Sequence, residues 1–157
     1  MSRVIDIACL QTRPQPDFQT ALDEALPLAK EAKAAGAKLL FLPEYCGGLR
    51  TEGSAVKPPS APEADHPFLN HMRDFARQAQ IWLNLGSIAV DAPDGRVINR
   101  GFMIDDQGDI RGHYDKINMF DIQLSETEVY RESAYVSPGD CAVIHDTPFG
   151  KIGHTIC

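Results

Sequence analysis

The chain has 157 residues, 43% of them apolar and 24% charged, an ordinary globular balance with enough length for one domain around a real core. Disordered and fibrous classes are thereby excluded. A formal net charge of -7 and a pI near 5.1 argue against nucleic acid or an anionic membrane as partner, because both reward clustered Lys and Arg; a small-molecule substrate fits better.

No segment approaches the ~18 consecutive apolar residues of a membrane span, and the opening MSRVIDIACLQ is too short an apolar run for a signal peptide. A cytoplasmic protein is therefore expected. Cys9, Cys46, Cys141 and Cys157 are scattered without CxxC spacing, which signals neither a disulfide framework nor a zinc site. The histidines also lack ligand spacing, and no metal is implied.

In chain order, residues 4–10 form a short apolar run that reads as a buried strand. TRPQPD follows as a turn, with Asp17 suited to cap a helix. From Phe18, the spacing of Phe18, Leu22, Ala25, Leu26, Ala29 and Ala32 keeps one helical face apolar, and Gly36 closes the helix. Pro27 lies inside that pattern and is expected to kink it. KLLFL, residues 38–42, is a second buried strand stopped by Pro43. The Gly-, Pro- and Ser-rich segment 45–65 is too long for a mere connector and reads as a lid or binding loop. Residues 67–80 form a second helix with Pro67 in its first turn. Residues 81–90, 97–104 and 110–115 read as three strands joined by the turns APDG and DDQGD. The segment 116–138 reads as irregular, ending in a Pro138-Gly139 turn, and residues 141–146 and 151–156 as a final hairpin around TPFG. The order is mixed α/β in one domain over residues 1–157, with helices able to cover one face of a sheet. There is no internal repeat or interdomain linker.

Four residues stand out chemically. Glu44, in FLPEY, sits at the carboxyl end of a buried strand, where open α/β sheets place their sites and partial burial favours a general base; alternatively it is an exposed loop glutamate. Lys116, in HYDKINMFD, ends another strand, where its ammonium would stabilise an oxyanion, or it forms a surface pair with Asp115. Glu132, in YRESAYVSPGD, has no physical signal of its own. Cys157 ends the run KIGHTI, where a thiol is either a nucleophile or a small buried hydrophobe. His154 is a poor base for it, because residues three apart on a strand point to opposite faces with Cα atoms ~10 Å apart. GKIGHT lacks the surrounding phosphate-loop pattern.

Taken in order, Leu42-Pro43-Glu44, Tyr114-Asp115-Lys116 with NMFD, Glu132-Ser133 with Pro138-Gly139, and TPFGKIGHTIC resemble the successive signatures of the nitrilase superfamily of carbon-nitrogen hydrolases. The approach AAGAKLLFLPE follows the same pattern, and the likeness covers essentially the whole chain. It is strongest to the amidase branch that includes deaminated-glutathione amidase and ω-amidase. The resemblance implies an α/β fold, the N-terminal part of an α-β-β-α sandwich. It implies Glu44 as general base, Lys116 as oxyanion stabiliser, Cys157 as nucleophile and Glu132 as the glutamate that positions lysine and substrate.

The implied reaction is hydrolysis of a small carboxylic amide through a cysteine thioester, with no cofactor, in a protein that assembles as a homo-oligomer. His154 departs from the family, where an aliphatic residue is common. Family members usually continue past the cysteine with Tyr-Asp-Leu/Met-Arg-Phe-Pro and a second α/β half. The sequence is therefore expected to be the N-terminal portion of a longer polypeptide, inactive by itself. The rival readings are a non-catalytic binding or scaffold protein on the same fold, hydrolysis of an N-carbamoyl amide or nitrile, and a cysteine hydrolase that uses a histidine.

Overall fold

A computed structural model describes residues 4–52 and 55–157. The first apolar run contributes only β1 (Ile7–Cys9), with Val4 87% exposed: an apolar run becomes strand only where a neighbour offers its backbone, and β1 pairs solely with β2 (Leu39–Phe41). Between them lies α1 (Phe18–Ala34), whose N-cap Asp17 accepts a hydrogen bond from Thr20 N at 2.9 Å. The helix continues through Pro27, and Gly36 follows the cap residue Ala35 at a φ of +100°, the left-handed turn that glycine makes without strain.

The segment 45–65 is less featureless than its composition indicates. It carries the short strands β3 (Thr51–Glu52), β4 (Ala55–Val56) and β5 (Ser60–Ala61) and a 3-10 turn at Glu63–Asp65. Next come α2 (Pro67–Ala79) and the three strands read from the sequence, β6 (Trp82–Asp91), β7 (Val97–Ile104) and β8 (Ile110–Asp115).

The segment 116–138 corrects the expectation of an irregular stretch. It folds into the hairpin β9 (Asp121–Gln123) and β10 (Val129–Arg131), a 3-10 turn at Glu132–Ala134, and β11 (Val136–Ser137). All three residues of β9 are exposed, so the alternation from Phe120 to Ser125 buries no face of the strand. The final hairpin is β12 (Val143–Thr147) with β13 (Gly150–His154).

The described strands build one main sheet in the order β1-β2-β6-β7-β11, with β5 also on β6 and β8 also on β7. Alternation along each strand sorts side chains between its faces. Leu40, Leu83, Phe102 and Ile104 face α1 and α2, burying Leu22, Ala25, Phe68, Met72 and Ala76 between them. Leu39, Trp82 and Met103 face the other way, against Phe149 and Ile152 of the last hairpin. Both helices cover one face, as the sequence order implied. No helix among the described residues is long and apolar enough to cross a membrane.

Strand direction decides which loops can meet. β2 runs parallel to β6, β7 reverses, and β8 reverses again. The carboxyl ends of β2 and β8 therefore lie at the same end of the sheet.

His154 ends β13, with its side chain turned inward and the residue 4% exposed. Its Nδ1 is 3.2 Å from His145 Nε2, its ring is stacked on Tyr114, and its Nε2 is buried with no hydrogen bond of normal geometry among the described residues. A Cβ at Gly101 would come within 2.3 Å of that Nε2, so only glycine lets the imidazole settle on the strand. Burial, then the neighbouring His145, pushes the His154 pKa from 6.5 down to about 4. The unfolded chain thus binds a proton here before the folded one does. The corresponding stability is present above pH 6.5 and is lost as pH falls toward about 4. Urea denaturation across that window should show this loss, and His154→Gln should shallow the slope; a slope indifferent to the substitution would contradict the assignment.

Candidate active site

Glu44 follows β2 through Leu42 and Pro43. The turn is held where Leu42 N donates to Asn84 O at 2.9 Å and Gly86 N to Leu42 O at 3.1 Å. β6 is irregular at this point, its register with β7 shifting between Leu85 and Ile88. A Cβ at Gly86 would lie 2.2 Å from Leu42 O and 2.7 Å from Pro43 O, so a residue without a side chain lets the Glu44 turn press against the bulged strand. The next residue, Tyr45, has a φ of +53°, a costly conformation for a bulky side chain. Hydrogen bonds from Tyr45 N to Ser87 Oγ (2.9 Å) and from Gly48 N to Tyr45 O (3.0 Å) hold it there. Strain of this kind, on the order of 1–3 kcal/mol, persists where the surroundings over-determine the backbone.

Lys116 extends β8 by one ladder step, its N donating to Asn99 O at 3.0 Å. Pro138-Gly139 packs on the same corner. Gly139 N donates to Lys116 O at 2.8 Å, and a Cβ there would meet Asp115 O at 2.4 Å. The alternative of a surface Asp115-Lys116 pair is overturned: Asp115 takes a bidentate bond from Arg100, at 2.6 and 2.8 Å. Lys116 instead turns inward, with 3% of its side chain exposed.

There its ammonium lies between two carboxylates. Nζ donates to Glu44 Oε1 at 2.9 Å and to both oxygens of Glu132 at 3.0 and 2.9 Å. Glu132, with a 7% exposed side chain, also accepts from Phe120 N at 2.6 Å. Burial alone would lower the lysine's pKa, but the hydrogen bonds and charges of Glu132 and Glu44 outweigh it, and the net direction is upward. Lys116 is held as a cation.

One cleft of about 310 Å³ is bordered by Glu44, Lys116, Glu132 and Cys157 together. Leu49, Phe120, Tyr130 and Tyr135 complete much of its wall, so both the loop after Glu44 and the hairpin β9-β10 contribute to it. Cys157 is an exposed residue, whereas Cys46 is buried and its thiol pushed up to about 12 by desolvation, which leaves it inert. Two of the three described non-glycine residues with positive φ, Tyr45 and Cys157, border this cleft. His154 is turned into the pair with His145 and is absent from the lining, as its strand position indicated.

Two residues here escaped the sequence reading. Asn99, fully buried on β7, donates from Nδ2 to Glu44 Oε1 at 2.8 Å; a polar residue inside the strand VINRGFMI was its only signal. Tyr45 is 8% exposed, and its hydroxyl makes no hydrogen bond of normal geometry among the described residues. Its pKa is raised, first by burial and then by the charges of Glu132 and Glu44, which keeps the phenol protonated. Among the described residues no group of three or more metal-ligating side chains occurs.

Removing the cation would leave two carboxylates facing one another, Glu132 deeply buried and Glu44 about one-third exposed. Lys116→Met should cost about 3–5 kcal/mol at pH 8, the range for breaking a buried pair from one side. Part of that stability should return at pH 5, where a carboxyl can take up a proton; chemical denaturation at the two pH values checks this. Equal losses at both would show that the carboxylates are not what the lysine neutralises.

Residues 6–157 match the family model described as carbon-nitrogen hydrolase. The chain is 35% identical over 97 residues to a deaminated glutathione amidase from Yersinia enterocolitica, covering 59% of this chain and 34% of that protein. It is 32% identical over 155 residues to the nitrilase and fragile histidine triad fusion protein NitFhit of Drosophila melanogaster, covering 96% of this chain and 32% of the relative. It thus spans about a third of the length of each. The crystal structure of the C. elegans NitFhit protein matches with a TM-score of 0.82 at 24% identity, over 96% of this chain and 37% of that one. The nitrilase-type α/β fold read from the sequence is borne out by that likeness.

Proposed function

The chain belongs to the carbon-nitrogen hydrolase family, and from that premise we propose that the whole protein hydrolyses the C–N bond of a small carboxylic amide through a thioester on Cys157. The observation that carries this reading is the Glu44-Lys116-Glu132 ion chain, buried at Lys116 and Glu132, which borders one cleft together with Cys157. A carboxylate, an ammonium and a sulfur around one space are the three groups that acyl transfer to cysteine requires. The deaminated glutathione amidase among the relatives supports an amide over a nitrile.

In this reading Glu44 takes the thiol proton of Cys157. The thiolate attacks the amide carbonyl carbon, and the carbonyl π electrons move onto oxygen, where Lys116 Nζ stabilises the negative charge. Collapse of the tetrahedral intermediate breaks the C–N bond, and Glu44 returns its proton to the departing nitrogen as ammonia or amine. Glu44 then takes a proton from water, whose oxygen attacks the thioester; breakdown releases the acid and restores the thiol. Glu132 borders the cleft but takes no part in the bond-making or proton transfers of this scheme. It holds the ammonium in place with two hydrogen bonds.

Cys157→Ala, Glu44→Gln and Lys116→Ala should each lower amide turnover by at least about a hundredfold, the scale of a lost acid-base or oxyanion group. The check is ammonia release by the whole protein from a panel of short-chain carboxylic amides, beside thermal unfolding to confirm that each variant folds. Near-normal release by Cys157→Ala sinks the scheme. Rapid iodoacetamide labelling of Cys157 at neutral pH separates it from a non-catalytic scaffold.

A further inference from the structure

A carboxylate that accepts and returns protons has two oxygens, and at Glu44 they are not equivalent. Oε1 accepts from both Lys116 Nζ (2.9 Å) and Asn99 Nδ2 (2.8 Å), while no donor among the described residues reaches Oε2. The Glu44 side chain is about one-third exposed and borders the cleft, so it has a committed side and an open one.

Asn99 creates that asymmetry. It is completely buried on β7, paired in register with Ala89 of β6, and its backbone carbonyl receives the Lys116 N–H. One residue therefore fixes both the carboxylate and the backbone of the lysine that faces it. The amide's orientation is dictated by chemistry: a carboxylate only accepts, so the NH2 group must face it. Oδ1 is then left buried with no partner among the described residues. An unpaired buried oxygen weakens a fold, and an apolar side chain of the same size would avoid the cost. Stability of the strand does not account for an asparagine here; an uncharged donor to Glu44 does.

Resting on the reading of Glu44 as the base, we propose that Asn99 is its positioning residue, engaging Oε1 beside Lys116 so that Oε2 is the atom that exchanges protons with Cys157 and water. The choice of amide over cation has a consequence. A second ammonium at this point would add another positive charge against the carboxylate's return of its proton, whereas a neutral donor orients it without adding charge.

Two variants of the whole protein test this, read by the 13C carboxyl resonance of Glu44 through a pH titration, with Glu44→Gln identifying the signal. Asn99→Leu removes the donor at similar size; Asn99→Asp keeps the shape and brings in a like charge. The Glu44 midpoint should rise in both, by about one unit or more in Asn99→Asp. Hydrolysis should show the acidic limb of the pH-rate profile moving up by the same amount, and in Asn99→Leu kcat falling about 10- to 100-fold with KM within about threefold. An unmoved Glu44 midpoint, or a rise in KM at constant kcat, overturns the assignment. If Asn99→Leu fails to fold, the isosteric Asn99→Asp decides alone. Unsubstituted protein that hydrolyses no amide would refute the proposed function, and the carboxyl titration would still decide whether Asn99 engages Glu44.

Discussion

The structure turns on one ammonium group buried between two carboxylates. Burying an ion costs several kcal/mol even after relaxation, and three ions together would be prohibitive without near-ideal geometry. Lys116 meets that demand with contacts of 2.9 to 3.0 Å to both partners. Glu132 adds a backbone donor from Phe120, and Glu44 a side-chain donor from Asn99. Each of these bonds ties a different part of the chain to the sheet. Through Glu132 and Phe120, the hairpin β9-β10 is anchored to the end of β8 even though its own residues are largely exposed. The ion cluster thus does for the segment 116–138 what apolar packing does for the helices.

The rest of the fold delivers these groups to a common point. Two reversals of strand direction align the ends of β2 and β8, and two glycines allow the approach. Gly86 lets the Leu42-Pro43 turn press onto β6, and Gly139 lets the Pro138 turn press onto Asp115. At neither position does left-handed backbone matter; the requirement is space. The left-handed conformation falls instead on Tyr45, immediately after Glu44, where two hydrogen bonds hold it.

This division explains what was readable in the sequence. Strands β6, β7 and β8 and both helices carry long periodic patterns whose apolar residues meet a sheet face, so the pattern alone locates them. Glu44 and Lys116 were visible because each follows the end of a strand, β2 for Glu44 and β8 for Lys116. Glu132 was visible only through resemblance, since its partner lies sixteen residues back and its turn has no amphipathic pattern. Asn99 and the hairpin β9-β10 were not visible at all. Asn99 looks like a flaw in a buried strand until Glu44, fifty-five residues away, is placed beside it. The hairpin offers three-residue strands with no buried face on β9, so what fixes it is long-range bonding to an ion cluster.

The same cluster bears on how the proposed reaction would run. At rest, Lys116 is fully engaged by carboxylates, which leaves little of its field for a substrate oxygen. When Glu44 takes the thiol proton its charge is neutralised, and the ammonium keeps one charged partner, Glu132, where it had two. The positive field released at that moment falls in the cleft where the tetrahedral oxyanion develops. Proton transfer and oxyanion stabilisation are then two sides of one event, and the return of the proton to the leaving nitrogen restores the original pairing as the oxyanion collapses. A lysine paired with Glu44 alone would become an uncompensated buried cation at that step. Glu132 prevents this, which gives a physical reason for a second, more deeply buried carboxylate beside the lysine.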